Sequence, residues 1–151
     1  MQKIRIRLPA TIVGLGPCTR GVSLALSAHT TIEVTPRKDE TLTVDAVGEG
    51  AGHYPLGFRH PVVLAMSRVF QEIERALVGV HIRIDNQIPP ASGLGLEAAF
   101  AAAGAIAANN LMDNPLTRDK ALALTTTLAR MDGVVGAVLG GLTVSHLHTE
   151  K

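Results

Sequence analysis

The sequence predicts an α+β domain, a mixed and mostly antiparallel sheet with helices packed on one face. Three observations predict it. Strict alternation of apolar and polar residues marks strands through the first half, and apolar residues at helical spacing mark helices through the second. A composition that is 46% hydrophobic but only 3% aromatic also requires a core of Ala, Val, Leu and Ile packed closely around 15 glycines. The 151 residues suit one domain, 1–151.

Ile4, Ile6 and Leu8 alternate with Lys3, Arg5 and Arg7, giving a half-exposed first strand that Pro9 is expected to stop. The connection Val13-Gly14-Leu15-Gly16-Pro17 leads to an apolar strand at Val22–Leu26. Thr30–Thr35 and Leu42–Val47 alternate around the polar turn Pro36–Glu40, the pattern of a hairpin. Gly48–Arg59 carries four glycines and a proline and is long enough to be a functional loop. Val62, Val63, Met66, Val69, Phe70, Ile73 and Leu77 then define one helix face, with Pro61 suited to its first turn. Val80, Ile82 and Ile84 form a strand that Ile88-Pro89-Pro90 ends. A glycine loop at Ser92–Gly95 opens an Ala-rich helix over about Glu97–Met112, a third helix follows over about Thr117–Arg130, and Gly140–His148 closes the chain as a strand.

Composition excludes several functions. A net charge of +1 provides no basic face for a phosphate backbone, and without Trp there is little to stack on bases, so nucleic acid is not an expected partner. Gly104, Asn109 and Asn110 interrupt the Ala-rich run before it could span a bilayer, and the opening lacks a signal peptide's apolar stretch, so no membrane partner and a cytoplasmic location are expected. Cys18, the only cysteine, reads as a small packed thiol. His146 and His148 share a strand face, but no neighbouring Cys or carboxylate completes a metal site, and a polar fringe is the simpler expectation.

The chemistry lies in Pro89-Pro90-Ala91-Ser92-Gly93-Leu94-Gly95-Leu96-Glu97-Ala98-Ala99, a glycine turn between a strand and a helix start. Free amides and the positive helix end make such a place an anion site, and Gly93 and Gly95 admit a phosphate close to the backbone. Spacing alone leaves a purely structural turn equally open. No lysine follows the glycines, so this is not a Walker P-loop.

The segment resembles the Pro-x-x-x-Gly-Leu-Gly-Ser-Ser-Ala signature of the GHMP small-molecule kinases at Pro89, Gly93, Leu94, Gly95 and Ala98. Within that superfamily Ile4–Leu26 and Met131–Ser145 are similar to the opening and the later Pro-Asp-Asn motif of the homoserine kinases. The resemblance covers the N-terminal domain of that family, and the C-terminal domain is expected to be absent from these residues. It implies phosphoryl transfer from ATP to a small hydroxyl-bearing amino acid in threonine biosynthesis, with residues 89–99 around the phosphates and Mg bridging them. Glu97, in place of a signature serine, offers the metal an oxygen, or simply complements the helix dipole. Asp132 matches the family's aspartate and is the one catalytic candidate, or an N-cap. Departures are equally specific: the substrate-holding Asp falls on Arg20, the acidic Mg ligand on Leu128, an Asn on Gly14 and a nucleotide-side Asn on His60. Arg20 opposes a substrate ammonium. These exchanges lead to the expectation of an impaired kinase, with a non-catalytic binding module of the same fold as the alternative, partnered by a second copy or by a separate C-terminal domain.

Overall fold

A computed structural model describes residues 2–17 and 20–146. Cys18 and His148 lie outside the described residues. The elements are β1 (Ile4–Val13), β2 (Val22–Pro36), β3 (Leu42–Gly48), α1 (Pro61–Glu72), β4 (Val80–Asn86), α2 (Leu96–Leu111), α3 (Arg118–Ala123), α4 (Met131–Leu139) and β5 (Leu142–Val144).

The strands form one sheet in the order β1-β2-β4-β3, with β5 also on β2. All pairings are antiparallel except β3 with β4. Ile32, Val34, Val44, Val80, Ile82 and Ile84 point to the helix face and are buried, while Arg5, Arg7, Asp45, Arg83 and Asp85 stay exposed. This alternation places the core between the sheet and a helical layer. The Ala-rich α2 is buried on nearly every side, so its small side chains let α1, α4 and the sheet approach it together.

The structure corrects several expectations. Pro9 does not stop the first strand, because β1 is an edge strand and the register slips between Pro9 and Thr11, where a missing N–H disturbs least. The two strands expected at 22–26 and 30–35 are one continuous β2. The expected hairpin is not formed, because β4 inserts between β2 and β3. Gly79 makes room for it: a Cβ there would lie 2.5–2.9 Å from the Glu40 backbone, so the 36–41 turn can fold against the start of β4. The Arg37 N–H donates to the Gly79 carbonyl at 2.9 Å and the Val80 N–H to the Thr41 carbonyl at 3.0 Å.

The first helix ends at Glu72, short of Leu77, where Glu74 takes a φ of +54°. The third is α-helical only over α3, capped by the Thr117 hydroxyl accepting from the Lys120 N–H. Thr125-Thr126-Thr127 ends it, since β-branched side chains crowd a helix and the Thr125 hydroxyl donates to the Leu122 carbonyl at 2.7 Å. Beyond it α4 is a separate helix that the sequence reading missed, and the last strand shrinks to three residues after Gly140 and Gly141.

Candidate functional site

The strand β4 ends in Asn86, whose buried amide donates to the Glu49 and Ile88 carbonyls at 2.8 and 2.7 Å and whose oxygen accepts from the Ile88 N–H at 3.0 Å. This side chain ties the long 48–60 loop to the start of the glycine loop. Ser92 then closes a turn, donating to the Pro89 carbonyl at 2.6 Å and accepting from the Leu94 N–H at 3.4 Å. Its hydroxyl serves the loop's own shape. Pro90 packs close beneath Gly50, and Ala91 adopts a φ of +53°.

Gly93 and Gly95 both sit at φ +75°, where an L side chain is strained. Their surroundings differ. Nothing lies within 4 Å of a Cβ built on Gly93, whereas one on Gly95 would overlap the Thr11 hydroxyl. The Thr11 N–H donates to the Leu94 carbonyl at 2.9 Å and fixes the loop to β1. Gly95 is the N-cap of α2 and brings no capping side chain, so the first amides of a sixteen-residue helix open onto the loop beside an unfilled space. Leu96, Ala98 and Ala99 are buried in the core.

Glu97 is exposed on the first turn of α2, where its Oε1 accepts from the Tyr54 hydroxyl at 2.7 Å. The Tyr54 ring meets His60 and Phe100 edge-on at centroid distances of 5.7 and 5.6 Å, so the long loop folds over the helix start. Burial, and then Glu97, push the Tyr54 phenol well above its usual pKa. His60 is buried and caps α1, its Nδ1 accepting from the Val62 N–H at 3.2 Å. Burial lowers its pKa to about 4, so it is neutral at pH 7. Sequence reasoning missed this aromatic group because Phe100 lies on α2, far along the chain from the loop that carries Tyr54 and His60.

Asp132 is not the N-cap of α4: Arg130 is, and Asp132 is the second helical residue. Its Oδ1 accepts from the Arg130 Nε at 3.1 Å and the Gly133 N–H at 3.0 Å, and its Oδ2 from the Arg130 Nη2 at 2.7 Å and the Gly21 N–H at 3.2 Å. Four bonds fill the acceptor capacity of a carboxylate. Burial raises its pKa, but Arg130 and the Gly21 and Gly133 amides outweigh burial and hold it below the ordinary aspartate range. The starts of α2 and α4 nonetheless converge. A Cβ on Gly133 would lie 3.1 Å from the Ala98 Cβ and 3.6 Å from the Thr11 hydroxyl.

An open cleft of about 620 Å³ lies beside Asp132, lined by Arg20, Gly21, Arg130, Val135, Ser145 and His146 among others. Leu128 packs partly buried against the core and offers no ligand there.

The glycine loop leaves open space at Gly93 beside helix amides that no side chain caps, a geometry that admits a phosphate group. Magnesium does not fit side chains in this way. Among the described residues no group of three His, Cys, Asp or Glu could hold a metal, Glu97 is engaged by Tyr54, and Asp132 is saturated. No helix among the described residues is long and apolar enough to cross a membrane.

Comparison with known proteins adds the relationships. The pattern of the GHMP kinases N terminal domain matches residues 61–141. The homoserine kinase of Corynebacterium kroppenstedtii is 38% identical over 151 residues, 98% of this chain and 48% of that protein. That of Corynebacterium urealyticum is 37% identical over 145 residues, 95% of this chain and 47% of that protein. The chain spans about half the length of the curated relatives it matches. The crystal structure of homoserine kinase from Cytophaga hutchinsonii superposes with a TM-score of 0.76 at 20% identity, covering 95% of this chain and 48% of that one, a likeness of fold.

Proposed function

The chain belongs to the GHMP kinase N-terminal domain family, and from that premise we propose that it is the nucleotide-binding half of a homoserine kinase-like phosphotransferase acting in the cytoplasm. The uncapped start of α2 behind the open Gly93 turn carries this proposal. ATP is the ligand, its phosphates held by the backbone amides of residues 93–97 and by the α2 dipole. Backbone donors tolerate side-chain exchange, which explains how a phosphate cradle persists where the signature serines have become Leu96 and Glu97.

ATP supplies the phosphoryl group, and the chain's own residues bind and orient it. The Asn86 amide holds the loop base, Thr11 anchors the Leu94 carbonyl, and Tyr54 keeps the Glu97 carboxylate turned toward the long loop. Magnesium enters as the nucleotide's counter-ion, and no step is assigned to protein-bound metal. Asp132 orders the start of α4 against Gly21 and has no acceptor site left for a substrate proton. Homoserine phosphorylation by this chain is therefore expected far below the roughly 1–100 per second of ordinary kinases.

Thermal unfolding with and without Mg-ATP tests the proposal, since a ligand bound only to the folded state raises the transition temperature by mass action. A saturable rise that is lost in Gly93→Val supports it. No shift at millimolar nucleotide would leave the glycine loop a structural turn.

A further inference from the structure

We propose that Tyr54 is a positioning residue that keeps the phosphate site at the start of α2 open by drawing the Glu97 carboxylate away from it. This deepens the nucleotide-binding reading, on which it rests, by naming what regulates access to that site.

The Ala99 N–H donates to the Gly95 carbonyl at 3.0 Å and begins the ladder of α2, so the amides of Leu96, Glu97 and Ala98 have no acceptor within the helix. No side chain caps them. Glu97 stands on that same first turn, where a carboxylate is attracted by the helix dipole and by free amides within reach of its own flexible side chain. It is therefore an internal competitor for the place that a phosphate takes. The structure holds it elsewhere: its Oε1 accepts from the Tyr54 hydroxyl at 2.7 Å, a short charge-assisted bond, and the side chain is exposed.

The surroundings of the phenol preserve that bond. Phe100 lies three residues beyond Glu97 on one face of α2, and the Tyr54 ring meets Phe100 and His60 edge-on at centroid distances of 5.6 and 5.7 Å. One side chain thus packs on the helix face with its ring and takes the carboxylate with its hydroxyl. Phe100 and His60 are both buried, and His60 also caps α1, so the ring rests on fixed neighbours. Among the described residues, the Tyr54 hydroxyl makes the only hydrogen bond that residues 51–56 direct outside the 48–60 loop.

Two arrangements of the carboxylate follow. On Tyr54 it leaves the amides free for a phosphate, and on the amides it occupies them with a like charge that a phosphate must displace. Nucleotide affinity scales with the fraction of molecules in the first arrangement. A carboxylate at a helix N-terminus shifts such an equilibrium about two- to fivefold.

The test compares amide exchange at Leu96, Glu97 and Ala98, read by nuclear magnetic resonance without nucleotide, with the Mg-ATP dependence of thermal unfolding, both in the 151-residue chain. Tyr54→Phe keeps the ring and its contacts. It should slow exchange of at least one of the three amides at least twofold and weaken the apparent Mg-ATP affinity about two- to fivefold. Glu97→Gln removes the competing charge, so the double variant Tyr54→Phe with Glu97→Gln should show the exchange and the affinity of Glu97→Gln alone. If Tyr54 served only to fasten the loop, the double variant would bind as weakly as Tyr54→Phe, and that result overturns the inference, as does unslowed exchange in Tyr54→Phe. Absence of an Mg-ATP shift in every variant defeats the nucleotide-binding reading, while the exchange rates still decide where the carboxylate goes. A wild-type shift with unslowed exchange in Tyr54→Phe defeats only the role of Tyr54.

Discussion

Gly93 and Gly95 stand two residues apart at the same φ of +75°, so replacing each by alanine separates backbone strain from packing. Strain alone is about 1–2 kcal/mol for an L residue in the left-handed region. Gly93→Ala meets nothing else within 4 Å and should lose about that amount. Gly95→Ala adds a Cβ that overlaps the Thr11 hydroxyl and lies 3.1 and 3.3 Å from the Thr11 carbonyl oxygen and amide nitrogen. Thr11 cannot give way easily, because it is buried, its N–H is bonded to Leu94, and β1 is laddered to β2. Overpacking of this kind adds about 1–3 kcal/mol, for a total of about 2–5 kcal/mol. Urea unfolding monitored by circular dichroism measures both variants, with an accompanying fall in transition temperature of about 2–4 °C per kcal/mol at this chain length. Thr11→Ala in the Gly95→Ala background removes the hydroxyl and should recover at least ~1 kcal/mol. If Gly95→Ala proves as mild as Gly93→Ala, within ~0.5 kcal/mol, the packing argument is wrong.

Further outcomes follow from the same geometry. His60 has its pKa lowered from 6.5 to about 4, so the folded state resists protonation; stability is full above pH 6.5 and falls by about 3 kcal/mol as pH drops toward 4. His60→Asn keeps an acceptor for the Val62 N–H and should abolish that slope in pH-dependent urea unfolding; an unchanged slope would contradict it. Asp132 titrates in the other direction, its folded pKa depressed, so its contribution is present above the ordinary carboxylate range and lost as pH falls through the depressed value. Asp132→Ala should destabilise by about 2 kcal/mol at pH 7, as the Gly21 amide and Arg130 lose their acceptor, and should flatten the acid limb below pH 4. Glu97→Ser restores the signature hydroxyl and removes a negative charge from the first turn of α2, so the Mg-ATP shift should grow, and a smaller shift would mean that Glu97 helps the nucleotide. A Cβ on Gly136 would overlap the Ser23 hydroxyl, so Gly136→Ala should lose about 1–3 kcal/mol, partly recovered by adding Ser23→Ala, whose buried hydroxyl has no partner.

The glycine loop was legible because everything that shapes it is local: a strand, a proline stop, two glycines and a helix start in consecutive residues. The fold class was legible for the same reason, since periods of two and of 3.6 are written along the chain. Strand order was not. The turn Pro36–Glu40 has the chemistry of a hairpin, but β4 packs a more apolar face into the centre of the sheet and displaces β3 to its edge. Nor could α4 be read, because Gly133 and Gly136 weaken a helix locally and become favourable only where they let it lie against β1, β2 and α2.

The sequence by itself determined the fold class, most of the elements, the core-facing residues of most strands and helices, and the place of the glycine loop. Tertiary structure alone decided the state of the polar groups around it. Gly21 and Asp132 are 111 residues apart, and Tyr54 and Glu97 are 43 apart, yet their hydrogen bonds fix whether a carboxylate is free or saturated. A side chain's type is a local property, but its charge and remaining hydrogen-bonding capacity depend on which partners folding brings within about 3 Å.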